Sequence, residues 1–295
     1  MTRITRVGLV AKRGLDPAAD ILADLVDWLE ARGVAPVFEI ETAKLAGLPA
    51  ERPVFSRDDV PRQCDLVVVL GGDGTLIGMA GRIAKAGVDV PILGVNFGSL
   101  GFLTEITLPE LHDALDAALR GGAAIDTRMM LVARTTRGTQ PFGELAVLND
   151  IVLTKGAMSR IVEISVTVGE EPVTRVRADG LIVATPTGST AYNLAAGGPI
   201  VHPAVDAMIL TPIAPHTLSH RPVVISGSSE VHVRPIMGSS SELFVTFDGQ
   251  TGFPLQPDDV VSIRRAPRPL RLIKAANRTY YAVLRNKLRW GDANT

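Results

Sequence analysis

The sequence predicts an α/β N-terminal domain with a parallel sheet, followed by a β-rich C-terminal domain. Its 295 residues suggest two domains, because a domain usually holds about 100–200 residues. Residues 1–125 alternate strand-like apolar runs with helical patterns, which is typical of a parallel sheet covered by helices. In residues 126–270, short β-rich segments separated by glycine, proline and serine favour antiparallel sheets. Residues 271–295 are a C-terminal segment that we expect to pack back on the N-terminal domain.

The N-terminal domain can be predicted element by element from its hydrophobic pattern. Strand-like runs occupy residues 6–11, 35–40, 65–70 and 90–96. The third run is continuous and rich in valine, which suits a parallel strand buried on both faces. Between the strands, apolar residues recur at helical spacing. The predicted helices cover residues 17–33, 75–87 and 108–121.

The C-terminal half contains two further helical patterns. One interrupts the β-rich region near residues 189–196. The other lies in residues 271–290, where Tyr281, Leu284 and Leu288 share one helical face. We expect this last helix to dock through that face.

Composition and charge narrow the classes of protein. The net charge of −1 gives no global attraction to nucleic acid or membranes. No apolar run approaches the roughly 18 residues needed to span a bilayer, and the N-terminus shows no secretory signal pattern. Cys64 is the single cysteine and forms no internal disulfide, which favours a reducing compartment. We therefore expect a cytoplasmic protein without nucleic-acid or membrane partners.

A glycine-rich loop follows the third strand, in the stretch VVVLGGDGTLIG (67–78). A strand, a glycine turn and a helix together offer backbone amides to a phosphate. The loop lacks both the GxxxxGK[ST] and the GxGxxG patterns, and it contains one acid, Asp73. A carboxylate beside a phosphate makes sense if it binds a divalent cation or takes a proton from an attacking hydroxyl, which indicates phosphoryl transfer. Alternatively, Asp73 caps the following helix.

Three later segments add polar groups at strand ends. Phe97, in VNFGSLGFLTE (95–105), either stacks on an adenine or packs in the core. Asn149 and Asp150 interrupt a strand-like run and form either a turn or a hydrogen-bonding pair for a ribose or base. The segment TPTGSTAY (185–192) starts a helix and places hydroxyl groups where a ligand phosphate is favoured.

Together these segments resemble the NAD kinase family, whose Rossmann-like core is similar to that of phosphofructokinases and diacylglycerol-type lipid kinases. The resemblance rests on five motifs in the family's order. They are GGDGT (71–75), NFGSLGFLTE (96–105), ND (149–150), DGLIVATPTGSTAY (179–192) and DGQ (248–250).

The resemblance implies an activity and its partners. The terminal phosphoryl group of ATP, or of polyphosphate in some members, is transferred to the 2′-hydroxyl of the adenosine ribose of NAD, giving NADP. A divalent cation, normally Mg²⁺, is implied, as is a homo-oligomer, either a dimer or a tetramer.

The resemblance also implies site residues. Asp73 would be the base that deprotonates the 2′-hydroxyl, and no residue is assigned as a direct metal ligand. The residues expected to contact the dinucleotide or nucleotide are Asp73, Gly74, Phe97, Asn149, Asp150, Arg160, Arg177, Asp179, Thr190, Ala191, Tyr192, Asn193, Leu194, Ala195 and Gln250. The family most often has Asn-Glu where this chain has Asn149-Asp150, so the acid is shorter by one methylene.

Three other functions stay open at this point. A lipid kinase would share the GGDGT motif, although the sequence offers no long apolar slot or membrane-binding helix. A non-catalytic NAD-binding protein would share the binding residues. A nucleic-acid-binding module would use residues 264–290, which contain nine Lys or Arg and no acid.

Overall fold

The computed structural model describes residues 3–48, 52–98, 100–156, 161–217, 219–236, 242–276 and 278–290. The chain divides into two compact units. The first unit comprises Met1–Thr127 and Leu270–Thr295, and the second comprises Arg128–Pro269. The second unit is therefore inserted in the chain of the first.

The helices and strands of the described residues have the following bounds. The α-helices are α1 (Ala18–Glu30), α2 (Ile40–Leu45), α3 (Asp73–Ala86), α4 (Leu111–Leu119), α5 (Tyr192–Ala195) and α6 (Tyr280–Leu288). Short 3₁₀ helices cover Val60–Arg62, Leu108–Glu110 and Thr187–Thr190. The strands are β1 (Arg6–Ala11), β2 (Ala35–Glu39), β3 (Val54–Phe55), β4 (Leu66–Leu70), β5 (Ile92–Asn96), β6 (Ile106–Thr107), β7 (Ile125–Arg128), β8 (Leu131–Arg137), β9 (Gln140–Val147), β10 (Asp150–Lys155), β11 (Val162–Val168), β12 (Glu171–Ala178), β13 (Gly180–Ala184), β14 (Ala207–Ile213), β15 (Val223–Ser226), β16 (Val231–Ile236), β17 (Leu243–Phe247), β18 (Thr251–Leu255), β19 (Asp259–Arg265) and β20 (Leu270–Ile273).

The first unit is built on a parallel sheet in the order β3-β2-β1-β4-β5-β20-β7, with β6 beside β5. Strands β1, β4 and β5 run parallel to one another. All residues of β4 and β5 are buried, as expected for strands covered on both faces. Because parallel strands end at the same edge, the loops after β1, β4 and β5 lie together, and ligands of such sheets bind at that edge.

The second unit consists of two antiparallel sheets among its described residues. Their orders are β15-β14-β13-β10-β17-β18 and β12-β11-β16-β19-β8-β9. Side chains from both sheets form one apolar core, and β11 shows the alternation behind it, with Val162, Ile164 and Val166 buried. The predicted fold class, a parallel α/β domain and a β-rich domain, is confirmed.

The C-terminal segment begins with a strand that the helical pattern did not indicate. Strand β20 pairs in parallel with β5. In α6, the buried residues are Val283 and Leu284, whereas Tyr281 is 59% exposed. Of the predicted face, Leu284 is buried and Leu288 is half-buried as expected, and only the place of Tyr281 is wrong, because the helix is rotated so that Val283 packs inward beside Leu284.

Arg278 fixes the chain just before α6 within the first unit. Its guanidinium donates to the carboxylate of Glu110, at 3.0 Å, and to the carbonyl oxygen of Glu105. In the described part of the chain, no helix combines the length and apolar character needed to cross a membrane.

Cys64 is buried in the first unit, and its Sγ donates to the carbonyl oxygen of Val60. Burial raises the pKa of its thiol to about 12. Since the thiolate is the reactive form, we expect native protein at pH 8 to be inert toward a thiol reagent such as dithionitrobenzoate. One thiol per chain should react after unfolding in guanidinium, and rapid reaction in the native state would contradict the packing described for Cys64.

Candidate active site

The glycine loop joins β4 to α3, and Gly71 is its only glycine where a Cβ would crowd other described atoms. Gly71 has φ of +155°, and a Cβ there would lie 3.0 Å from Cβ of Lys12 and from Oγ1 of Thr75. At Gly72 and Gly74 a Cβ would meet nothing within 4 Å, and neither has a positive φ. Of the three glycines in the loop, only Gly71 has a positive φ. The open space at the other two leaves the backbone accessible to a ligand.

Asp73 is the first residue of α3, and its carboxylate is held by a distant loop. Oδ2 accepts from the N–H of Phe102 at 2.8 Å. Oδ1 accepts from the N–H groups of Leu103 and Thr104 at 3.2 and 3.0 Å, and from Oγ1 of Thr104 at 2.9 Å. The N-cap of α3 is Gly72, and no side chain caps it. The alternative interpretation of Asp73 as a helix cap is therefore wrong.

The loop that holds Asp73 is shaped around the carboxylate. A Cβ at Gly101 would lie 2.1 Å from Oδ1 of Asp73, so this position has room for glycine alone. Asn96 braces the loop, since its Oδ1 accepts from the N–H of Gly98 at 2.6 Å and its Nδ2 donates to Oγ1 of Thr104 at 3.1 Å. A carboxylate oxygen has two acceptor positions, and Oδ2 uses one of them among the described residues.

The other predicted residues of the first unit lie near this loop in sequence. Gly74 is exposed in the first turn of α3. Phe97 is half-buried and packs against the apolar core of the first unit. The structure thus shows the core contact that was one of the two interpretations of Phe97.

In the second unit, Asn149 and Asp150 lie at the start of β10 and are held by Asp248. Asp248 follows β17 and has a positive φ of 51°. Its Oδ2 accepts from the N–H of Leu148 at 2.8 Å, and its Oδ1 accepts from those of Asn149 and Asp150 at 2.7 and 3.1 Å. One carboxylate thus binds three successive amides.

The turn after β13 holds the same backbone through other atoms. The N–H of Thr185 donates to the carbonyl oxygen of Asn149 at 2.8 Å. Oγ1 of Thr185 donates to the carbonyl oxygen of Leu148 at 2.6 Å and accepts from the N–H of Gly188 at 3.0 Å. A Cβ at Gly188 would lie 2.2 Å from the carbonyl oxygen of Asn149. The TPTG sequence therefore closes tightly on the Asn149 backbone.

Burial dominates the electrostatics of the two acids. It raises the pKa of Asp150 to about 7, and the charge of Asp248 acts in the same direction. Burial also raises the pKa of Asp248, against the three amide hydrogen bonds, which lower it. Near neutral pH, Asp150 is therefore protonated in some molecules, where it can donate a hydrogen bond, and ionised in others, where it can only accept.

Residues 190–195 divide into buried and accessible positions. The side chain of Asn193 is fully buried: Nδ2 donates to the carbonyl oxygens of Ser189 and Pro199, and Oδ1 accepts from Oγ1 of Thr211 at 2.6 Å. Both amide hydrogens of Asn193 are thus used within the protein. The half-buried residues are Thr190, Ala191 and Leu194, and the exposed ones are Tyr192 and Ala195.

The remaining predicted residues lie on strands and turns of the second unit. Arg177 is exposed on β12. Asp179 follows that strand and forms an ion pair with Nζ of Lys155 at 3.0 Å. Gln250 is exposed in the turn between β17 and β18. Arg160 lies outside the described residues.

Sequence reasoning missed four residues that shape these loops: Thr104, Lys155, Thr185 and Asp248. Thr104, Thr185 and Asp248 are members of the quoted motifs, but the motifs do not indicate which backbone they bind. Lys155 gave no signal, because its distinguishing feature is the ion pair with Asp179, which precedes the neighbouring strand β13 and is distant in sequence.

The fold and the glycine loop define a class of protein. A doubly wound parallel sheet with a glycine loop that has open space beside Gly72 and Gly74, and with one buttressed carboxylate at its carboxyl edge, is suited to phosphoryl transfer from a nucleotide. Residues 7–123 match the family model of the ATP-NAD kinase N-terminal domain, and residues 148–275 match that of the ATP-NAD kinase C-terminal domain. The chain belongs to the NAD kinase family, and the resemblance predicted from the motifs is confirmed.

Relatives named NAD kinase match almost the whole chain. Those of Geotalea daltonii and Syntrophotalea carbinolica are each 45% identical, over 97% of this chain and 99% of the relative. The NAD kinase of Geobacter sulfurreducens is 43% identical over the same shares.

Two solved structures show the same fold. A yeast NADH kinase complexed with NADH has a TM-score of 0.88 and 24% identity, covering 100% of this chain and 90% of that chain. An NAD kinase from Archaeoglobus fulgidus in complex with ATP has a TM-score of 0.73 and 24% identity, covering 96% of this chain and 98% of that chain.

Asp150 makes stability depend on pH. Its pKa of about 7 in the folded chain exceeds the ordinary value of about 3.9 expected after unfolding. The folded state therefore binds more protons in this window, and the free energy of unfolding falls as the pH rises through it. Asp150→Asn removes this penalty, so its Tm advantage over the parent chain should grow between about pH 4 and pH 8.

The measurement is thermal unfolding at both pH values. Asp258→Asn serves as control, because Asp258 is exposed and its substitution should give no pH-dependent gain. A Tm difference for Asp150→Asn that is the same at both pH values would contradict the buried-carboxylate interpretation.

Proposed function

We propose that this chain transfers the terminal phosphoryl group of ATP to the 2′-hydroxyl of the adenosine ribose of NAD, giving NADP. The observation that carries the proposal is the Asp73 carboxylate, buttressed by the 102–104 amides beside open glycine backbone. Family membership supports the same substrates. The match to both ATP-NAD kinase domain models disfavours the lipid-kinase and nucleic-acid alternatives.

Asp73 is the general base in this proposal. A ribose hydroxyl is a poor nucleophile at neutral pH, so it must lose its proton as it attacks. Oδ2 of Asp73 accepts one hydrogen bond and has a further lone pair for that proton. The ribose oxygen forms a bond to the γ-phosphorus, the bond from that phosphorus to the bridging oxygen breaks, and ADP leaves. The four donors to Asp73 fix the carboxylate, which holds the base in one orientation.

Phosphate binding falls to the glycine loop. Helix α3 begins at Asp73, and the positive end of its dipole lies at this loop. That end of a helix favours phosphate. Gly72 and Gly74 let the nucleotide approach without a Cβ between.

Dinucleotide recognition is assigned to the second unit. Asn149 has a side-chain amide that makes no hydrogen bond to other described residues, and it suits a ribose or base edge. Tyr192 is 45% exposed and offers its ring and hydroxyl. Arg177 supplies an exposed cation for phosphate, and Gln250 supplies an exposed amide two residues after Asp248. Asp179, Thr190, Ala191, Leu194 and Ala195 keep their predicted contact roles.

Two of the predicted contact residues, Asn193 and Arg160, are assigned differently. The amide hydrogens of Asn193 are bound inside the protein, so we assign Asn193 the role of shaping the 189–199 turn. Arg160 remains a prediction from the resemblance alone.

A divalent cation fits this loop as an ion carried by the nucleotide. Among the residues that the structure describes, no group of three or more His, Cys, Asp or Glu is placed to hold a metal by itself. Mg²⁺ in kinase sites is bound mainly through substrate phosphates and one or two carboxylates. When bound, it neutralises charge on the transferred group. We assign it no direct protein ligand.

The remaining proposals rest on the resemblance. We infer a homo-oligomer, a dimer or tetramer, in the cytoplasm, and use of polyphosphate as an alternative donor. The single buried thiol of Cys64 is compatible with a reducing compartment.

The direct test is product formation from candidate acceptors. We expect γ-labelled ATP to label NAD but not diacylglycerol, in a reaction that requires Mg²⁺ and stops with EDTA. Polyphosphate replaces ATP in a parallel reaction to test the second donor. Label on diacylglycerol, or none on NAD, would refute the proposed activity.

The base role is tested by Asp73→Asn. We expect turnover to fall by about 10²-fold or more, the usual size of a general-base effect. NAD affinity, measured by calorimetry, should change little, because the amide oxygen still accepts the three hydrogen bonds at Oδ1 and only the one from the N–H of Phe102 is lost. Unchanged turnover would remove Asp73 as the base.

Thr104→Val is the matched control for the loop. It deletes the hydroxyl that donates to Oδ1 of Asp73 and accepts from Nδ2 of Asn96, and it leaves the carboxylate intact. We expect its turnover to fall clearly less than that of Asp73→Asn, because two hydrogen bonds of about 1 kcal/mol each are lost while the base remains. A loss as large as that of Asp73→Asn would mean that Asp73 acts by holding the loop.

A further inference from the structure

We propose that Asp248 is a positioning residue for the dinucleotide, because its carboxylate fixes the backbone of residues 148–150 and so sets the place of the Asn149 amide. This inference rests on the proposed function and deepens it. Asp248 acts through Asn149 and does not touch the reacting atoms in this proposal.

The backbone of Asn149 is held from two directions. Its N–H donates to Asp248 at 2.7 Å, and its carbonyl oxygen accepts from the N–H of Thr185 at 2.8 Å. Gly188 leaves no room for even a methyl group against the carbonyl of Asn149. The N–H of Asp248 in turn donates to the carbonyl oxygen of Asp150 at 3.0 Å, which makes the contact reciprocal.

The side chain of Asn149 contrasts with its backbone. Asparagine in a turn commonly hydrogen-bonds its own neighbouring backbone. Here the amide of Asn149 makes no hydrogen bond to any other described residue, while both of its backbone polar groups are bound. A fixed backbone carrying an unused amide is the arrangement of a preorganised binding group.

The hairpin itself does not need a carboxylate at position 248. Asp248 and Gly249 both have positive φ, 51° and 62°, and the N–H of Gln250 donates to the carbonyl oxygen of Phe247. Asn-Gly satisfies such a turn as well as Asp-Gly does. Asp248 instead carries a charge into a partly desolvated place, where burial raises its pKa. The carboxylate of Asp248 accepts hydrogen bonds from the three N–H groups of residues 148–150.

The decisive variant is Asp248→Asn, which keeps the turn but faces an NH₂ group toward one of the three amides. We expect the KM for NAD to rise about tenfold, the equivalent of one lost charge-assisted hydrogen bond. The kcat and the KM for ATP should stay within about twofold, since uniform binding affects KM alone. Asp258→Asn is the control, because Asp258 also has a positive φ, 72°, but is exposed.

A mutant cycle separates positioning from general stability. If Asp248 acts through Asn149, Asp248→Asn should raise the KM for NAD no further in an Asn149→Ala background. Effects that multiply in the double variant, or a KM for ATP that rises equally, would overturn the proposal. So would an unchanged KM for NAD in Asp248→Asn.

A second pair of variants covers misfolding of Asp248→Asn. Thr185→Val removes the hydroxyl that holds Leu148 and Gly188, while Thr185→Ser keeps it. The valine variant should raise the KM for NAD and the serine variant should not, and equal values would count against positioning. If the parent chain forms no NADP, the proposed function fails by itself. NAD affinity of parent and Asp248→Asn by calorimetry then still decides this inference.

Discussion

The carboxylate of Asp73 is the interaction on which the rest of the first unit's site depends. It accepts four hydrogen bonds from residues 102–104 and so joins the loops that follow β4 and β5. Gly101 is required by this contact, and Asn96 braces it. A charged side chain at the start of a helix is thereby fixed without closing the glycine backbone to phosphate. The same group organises the loop and, in the proposed reaction, receives the proton.

The second unit also uses a carboxylate to fix a loop, but there the carboxylate holds the backbone of another residue, Asn149. There, Asp248 and Thr185 hold the backbone, and in the proposed function the side-chain amide of Asn149 binds the dinucleotide. In both units a carboxylate binds three successive N–H groups of a distant loop. Such bonds are charge-assisted and therefore stronger than neutral ones. Strands flank both loops and fix their ends. The backbone N–H groups of the loops are therefore positioned by a single short carboxylate side chain in each unit.

Local periodicity made much of the fold predictable, and long-range hydrogen bonds made part of the site unpredictable. The run at 65–70 and the helix after it follow from apolar spacing and glycine, which act over a few residues. Asp73 and its partner Phe102 are 29 positions apart, and Asp248 and Leu148 are 100 apart. Their partners are backbone N–H groups, which every residue except proline carries, so no residue type announces them. The short strand Leu270–Ile273 was missed because its place depends on β5 and not on its own pattern.

The return of the chain to the first sheet at β20 has a consequence for biosynthesis. This strand lies between β5 and β7 in the sheet, yet it is made only after the whole second unit has been translated. Until β20 is made, the sheet of the first unit lacks a strand beside Ile92, and β6 covers only the C-terminal end of β5 on the described residues. Domains generally fold as units, so the second unit can fold before the first is complete. Until then, an exposed strand edge of the first unit can pair with another chain. The sheet of the first unit can therefore be completed only after the second unit has been synthesised.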